Sequence, residues 1–164
     1  MIDQYIKLYG KRLYGFCLTL CADTFDADDL YQETWLKAVK NFSQYDSTKD
    51  FEPWITKICV NTYRNTLRRI TRNPFIEFKD NEEKDAFLGS IPDTAKEDHL
   101  PLYEAIEKLP QKLRLAVILF YFRDMDLAST AQVLNVPVGT VKSRLSKARK
   151  LLKEVLTDET DIRF

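Results

Sequence analysis

Apolar residues recur at steps of three and four along almost the whole chain, and no stretch of useful length alternates with a period of two. That spacing marks helices with one buried face. It predicts an all-α fold and leaves no material for a sheet. Ile2, Ile6, Tyr9, Leu13, Phe16, Cys17 and Leu20 outline the buried face of a first helix. A second is expected to start near Asp26, whose carboxylate can cap free amides while Asp29 lies in the favourable first turn. It runs through Leu30, Tyr31, Trp35, Ala38 and Val39 towards Phe42. The polar stretch 43–50 reads as a loop. A third helix follows, with Asp50 as its cap, Pro53 early, and Trp54, Ile55, Ile58, Thr62 and Leu67 inward. Asn73-Pro74 ends it, because proline disfavours helical geometry in the residue before it.

Residues 73–98 hold three stop signals and no sustained period, so they read as an unstructured linker. Helical pattern resumes at Leu102, Ala105, Ile106 and Leu109. After Pro110 comes LRLAVILFYF (113–122), apolar enough to be buried nearly all round. The expectation is three helices, a linker and four more helices. That makes two small helical domains, 1–72 and 99–164, joined through 73–98, which a length of 164 residues accommodates.

Net charge is zero, but its distribution is uneven. Residues 22–33 carry five acids and no base, whereas 57–72 carry five bases and no acid. The linker 73–98 holds eight acids against three bases, a net of −5, and 137–153 carries six bases and no acid. Any single block could be a solvated helix face. Two basic blocks flanking an acidic stretch point to two nucleic-acid contacts on one chain.

Several function classes fall away. No apolar run approaches the ~18 residues of a membrane span, and the charged, amphipathic start is not a secretory signal, so the cytosol is the expected compartment. Cys17, Cys21 and Cys59 with the single His99 do not supply the four spaced ligands of a zinc site, and they read as buried reduced thiols. A phosphate-binding glycine loop, a nucleophile elbow and a metal-ligand cluster are all missing, so neither an enzyme nor a cofactor protein is expected.

The sharpest motif is DLASTAQVLNVPVGTVKSRLSKARKLL (126–152), which has the form of a helix-turn-helix. Leu127, Ala131 and Leu134 form the inner face of its first helix. Asn135-Val136-Pro137 makes the turn, since asparagine is among the few non-glycine residues that accept left-handed geometry. Val141, Leu145, Ala148 and Leu152 face inward on the second helix. Thr140, Lys142, Ser143, Arg144, Ser146 and Lys147 then point outward, the side-chain types of a major-groove reader. Earlier in the chain Lys57, Asn61, Arg64, Asn65, Arg68 and Arg69 form a polar, cationic stripe suited to single-strand phosphates and a base. Asp26, Asp29, Gln32 and Glu33 place acceptors one turn apart on the second helix. Self-complementation of the helix dipole explains the first two of these but explains Gln32 and Glu33 poorly.

PVGTVKSRLSKARKLL resembles the promoter-reading motif of extracytoplasmic-function (ECF) sigma factors, the smallest class of the main bacterial sigma family. DADDLYQETWLKAVKNF (26–42) resembles that family's polymerase-binding helix, and FEPWITKICVNTYRNTLRR (51–69) the helix facing the upstream edge of the melted promoter. Ser129-Thr130 replaces the family's usual acidic-isoleucine pair and Asn135 its usual turn glycine; both substitutions suit a helix-turn-helix, at the expense of weaker packing of its first helix. The resemblance implies that core RNA polymerase and promoter DNA are partners, and that an anti-sigma protein restrains the factor. It implies that Asp26, Asp29, Gln32 and Glu33 meet a basic coiled coil of the polymerase, and that loop 43–50 captures a flipped base, with Tyr45 able to stack on it; capping and loop packing account for Tyr45 equally well. The competing reading is a stand-alone helix-turn-helix regulator. It accounts for 126–152 and leaves the acidic second and basic third helices idle.

Overall fold

The computed structural model of the protein describes residues 1–21, 23–72 and 101–159; the linker 73–98, the Asn73-Pro74 stop and His99 lie outside them. Among the described residues all regular structure is helical. The chain divides into two compact units, Met1–Ile91 and Pro92–Phe164.

In the first unit α1 (Ile2–Leu20) packs on α2 (Thr24–Lys40), and α3 (Phe51–Arg72) packs on both. Leu13, Phe16 and Leu20 of α1, Leu30, Trp35 and Ala38 of α2, and Phe51, Ile55 and Val60 of α3 close the core. Each large apolar side chain so buried contributes about 1.5–3 kcal/mol. Gly10 lies where α1 meets α2, and a Cβ there would come within 3.0 Å of the Tyr31 hydroxyl. All three cysteines are free and buried, with the Cys17 and Cys59 sulfurs 3.8 Å apart.

Two expectations about α2 need correction. The cap of α2 is Asp23, not Asp26: the Asp23 Oδ1 accepts from the Asp26 amide at 2.7 Å, so the helix begins at Thr24 and Asp26 falls inside its first turn. Val39 does not join the core but stands 52% exposed. The seam of α2 follows Ala27, Leu30, Thr34 and Ala38, all buried, and Val39 lies one residue, a rotation of about 100°, past that line. Thr34 can enter the core because its hydroxyl donates to the Leu30 carbonyl at 2.6 Å.

The second unit holds α4 (101–107), α5 (Gln111–Val117), α6 (Leu127–Leu134) and α7 (Val138–Glu159). α5 continues into a π-helical turn, Ile118–Phe122, and α5 and α6 both pack on α7. Leu113 and the run Leu115–Leu119 are buried, but burial fails at Tyr121 and Phe122, which are 45% and 42% exposed. The wider turn, closed by the Arg123 amide donating to the Ile118 carbonyl at 3.0 Å, rotates these two rings outward.

Candidate polymerase and nucleic-acid interfaces

Three candidate surfaces stand out, two on the first unit and one on the second. On α2 the side chains of Asp26, Asp29 and Gln32 are exposed, while Glu33 is half-exposed and pairs with Lys37 at 3.5 Å. Partial burial lifts the Asp26 carboxyl above its usual range, and the neighbouring Asp23 and Asp29 carboxylates push it further. Crowded acids of this kind are relieved by a cationic partner. Asp28, one residue before Asp29, turns the other way and accepts from the Tyr14 hydroxyl at 2.6 Å, tying α2 to α1.

The same helix shows a feature that the sequence reading missed. Phe25, Leu36 and Val39 are 75%, 63% and 52% exposed. With Asp29 and Gln32 they step by four, three, four and three residues, which places all five on one face. α2 therefore has two apolar stripes, one buried in the unit and one facing out. The spacing of the second was visible in the sequence. Periodicity alone records that a stripe exists, not whether the unit covers it.

On α3, Asn61, Asn65, Arg68 and Arg69 are exposed, and Lys57 and Arg64 are half-buried on the same side. Lys37 links the two helices, its ammonium donating to the Thr62 hydroxyl at 3.2 Å. Tyr45 is only half-exposed. Its ring meets Phe51 edge-on and lies against Trp54 and Tyr5, and its hydroxyl donates to the Lys49 carbonyl. Asp46 pins the rest of this loop by accepting from the Thr48 amide and hydroxyl at 3.0 and 2.6 Å. The loop at 43–50 is thus a built surface on an aromatic floor.

In the second unit Asp126 caps α6 by accepting from the Ser129 amide at 2.7 Å, a bond that holds its carboxyl below the usual range. Asn135 ends α6 in left-handed geometry (φ 56°, ψ 49°), and the Val136 amide closes back on the Ala131 carbonyl at 3.1 Å. That is the asparagine variant of a helix C-terminal cap. Thr130 and Val133 are fully buried and Leu127 only partly, so the inner face is shifted from Leu127 towards Thr130. The Thr130 hydroxyl donates to the Asp126 carbonyl at 2.9 Å, which satisfies it inside the packing.

α7 buries Val141, Leu145 and Ala148 and leaves Leu152 half-buried. Lys142, Ser143, Ser146 and Lys147 are exposed, with Thr140 and Arg144 half-buried. Thr140, Ser143, Arg144 and Lys147 share a groove of about 500 Å3 with Lys112 and Leu113 of α5. On the other side of α7 an apolar hollow of about 460 Å3 lies among Leu102, Ile106, Val117 and Phe122, and Arg149 donates to the Tyr121 hydroxyl at its edge. No group of acids, histidines and cysteines able to hold a metal occurs among the described residues. None of their helices is long and apolar enough to cross a membrane.

Comparison with known proteins places these surfaces in context. Residues 5–73 match Sigma-70 region 2 and residues 99–152 match Sigma-70, region 4. The chain is 33% identical over 154 residues to RNA polymerase sigma factor SigV of Bacillus subtilis, across 92% of this chain and 88% of that one. It is 25% identical over 163 residues to the ECF RNA polymerase sigma factor SigW of the same organism, across 93% and 87% of the two chains. Its fold is similar to that of the sigma factor RpoE from Bartonella quintana, solved in complex with the anti-sigma factor NepR. The TM-score is 0.76 at 24% identity, across 99% of this chain and 100% of the other.

Proposed function

The chain belongs to the sigma-70 family as an ECF sigma factor, which directs RNA polymerase to promoters, and on that premise we propose how its surfaces divide the work. Asp26, Asp29, Gln32 and Glu33, together with Phe25, Leu36 and Val39, form the dock for core polymerase. Acids on this face steer encounter with a basic partner, and the apolar residues supply the area that binding buries. Lys57, Asn61, Arg64, Asn65, Arg68 and Arg69 hold the downstream promoter element as it melts, with loop 43–50 and Tyr45 receiving an unstacked base. Thr140, Lys142, Ser143, Arg144, Ser146 and Lys147 present the helix-turn-helix to the upstream element.

In this reading residues 1–72 dock and melt, 73–98 span, and 99–164 read upstream DNA. Sigma factors are initiation factors and not enzymes: the chain selects and opens DNA by binding, while the polymerase forms the bonds. It needs no cofactor and works in the cytosol. An anti-sigma protein is proposed as a further partner, because the structural neighbour was solved bound to one.

The outward apolar stripe of α2 carries this reading against the stand-alone regulator. Contact with DNA alone leaves three large exposed hydrophobic residues on a helix set among acids without a role, and such a patch suits a protein partner. Run-off transcription with purified core polymerase tests it. Core polymerase plus the chain should initiate at discrete sites on a promoter template, whereas core alone should not. Failure to bind core polymerase, combined with specific DNA binding by the free chain, would overturn it.

A further inference from the structure

The groove between α5 and α7 separates two jobs that the helix-turn-helix sequence runs together. Lys142 and Ser146, four residues apart, share the open ridge of α7 and are both exposed. Thr140, Ser143, Arg144 and Lys147 line the groove instead, and Lys112 enters from α5, outside the helix-turn-helix altogether. Three cations and two hydroxyl donors therefore converge on one hollow, and among the described residues no carboxylate lines it. Pro110 and Leu113 give it an apolar wall, which lowers the local dielectric and strengthens attraction for an anion.

The Arg144 Nη1 is buried and has no hydrogen-bond partner among the described residues. A guanidinium nitrogen withdrawn from solvent in this way is costly until something accepts from it. The groove's volume of about 500 Å3 far exceeds the ~30 Å3 share of one water, so a tetrahedral oxyanion with part of its hydration fits.

We infer that this groove is a seat for one backbone phosphate of the upstream promoter duplex, gripped by Arg144 and Lys147 from α7 and by Lys112 from α5. The inference rests on the proposed reading of the second unit as the upstream DNA reader, and it adds Lys112 as a positioning residue. The groove fixes the register of α7 on the duplex, and the ridge bearing Lys142 and Ser146 reads base edges. A phosphate contact positions without carrying sequence information. Lys112 should therefore affect all upstream sequences alike, while Lys142 should affect them unequally.

The test uses holoenzyme assembled from core polymerase and the full chain, with promoter affinity measured against potassium chloride concentration. The promoter set varies only in its upstream element. Lys112→Ala should lower affinity by the same factor on every promoter, and make the slope of log affinity against log salt shallower by about 0.9. Lys112→Arg should restore both. Lys142→Ala should instead change the ranking of the promoters. Lys112 is exposed, so a thermal melt matching the parent chain shows that the unit still folds. An unchanged affinity and slope for Lys112→Ala, or a changed ranking, would overturn the phosphate seat. If the parent holoenzyme shows no dependence on upstream sequence, the failure lies with the reading of the second unit itself, and the seat falls with it.

Discussion

Asp126 serves α6 best as a carboxylate, since its oxygen accepts from the Ser129 amide. That bond depresses its folded pKa below the unfolded value. The stability it contributes is therefore complete above the unfolded carboxylate pKa of about 3.9, and is lost as pH falls through the depressed value. Asp126→Asn keeps an acceptor but removes the titration. Circular dichroism of parent and variant on acidification should show a shallower acid loss in the variant, and superimposable profiles would contradict the argument. Asp46, held low by Thr48, adds an acid dependence of the same sign in the first unit, so the variant's curve should flatten only in part. Residues with strict backbone demands were the most legible from sequence. Asn135 was expected in left-handed geometry because few other side chains tolerate it, and it is found there. The sequence points to Asp26 as the cap of α2 where Asp23 serves, because both are acids in the right vicinity and only the built helix shows whose oxygen reaches which amide.

α2 is the element on which the functional reading turns. Its buried seam holds the first unit together, and its outer stripe presents Phe25, Leu36 and Val39 beside Asp29 and Gln32. Leu36 is 63% exposed, so Leu36→Lys should leave the helical circular-dichroism signal intact. It should nevertheless weaken binding to core polymerase by on the order of 2 kcal/mol, the cost of losing a central apolar anchor. Competition binding with labelled parent chain measures this, and a variant that competes as well as the parent would move the dock elsewhere. The existence and order of the helices could be read from three- and four-residue spacing. The identity of exposed apolar residues could not, because coverage depends on neighbouring elements that periodicity does not describe. The π turn at Ile118–Phe122 is a similar case: an unbroken apolar run gave no sign that its last two rings would be turned outward.

Across the whole molecule, cations concentrated on α3 and α7 are balanced to zero by acids on α2 and in the linker. Binding to duplex DNA draws much of its affinity from counterions displaced by cationic surface, and a neutral chain has little to offer on its own. The free chain should therefore bind promoter DNA weakly and with little preference near physiological salt. Neutralising the linker acids should raise that affinity and its salt dependence. Docking on polymerase makes the second DNA contact effectively intramolecular, and specific binding should appear only then. An anisotropy titration decides the matter, and nanomolar sequence-specific binding by the free chain would reject it. The aromatic floor under loop 43–50 has an optical consequence as well. Trp35 and Trp54, the chain's two tryptophans, both belong to that cluster or its edge, and the second unit has none. Indole emission is thus a built-in reporter of one half of the chain. In a denaturant series it should track the first unit alone while far-ultraviolet ellipticity averages both, so the two curves should part wherever the halves differ in stability.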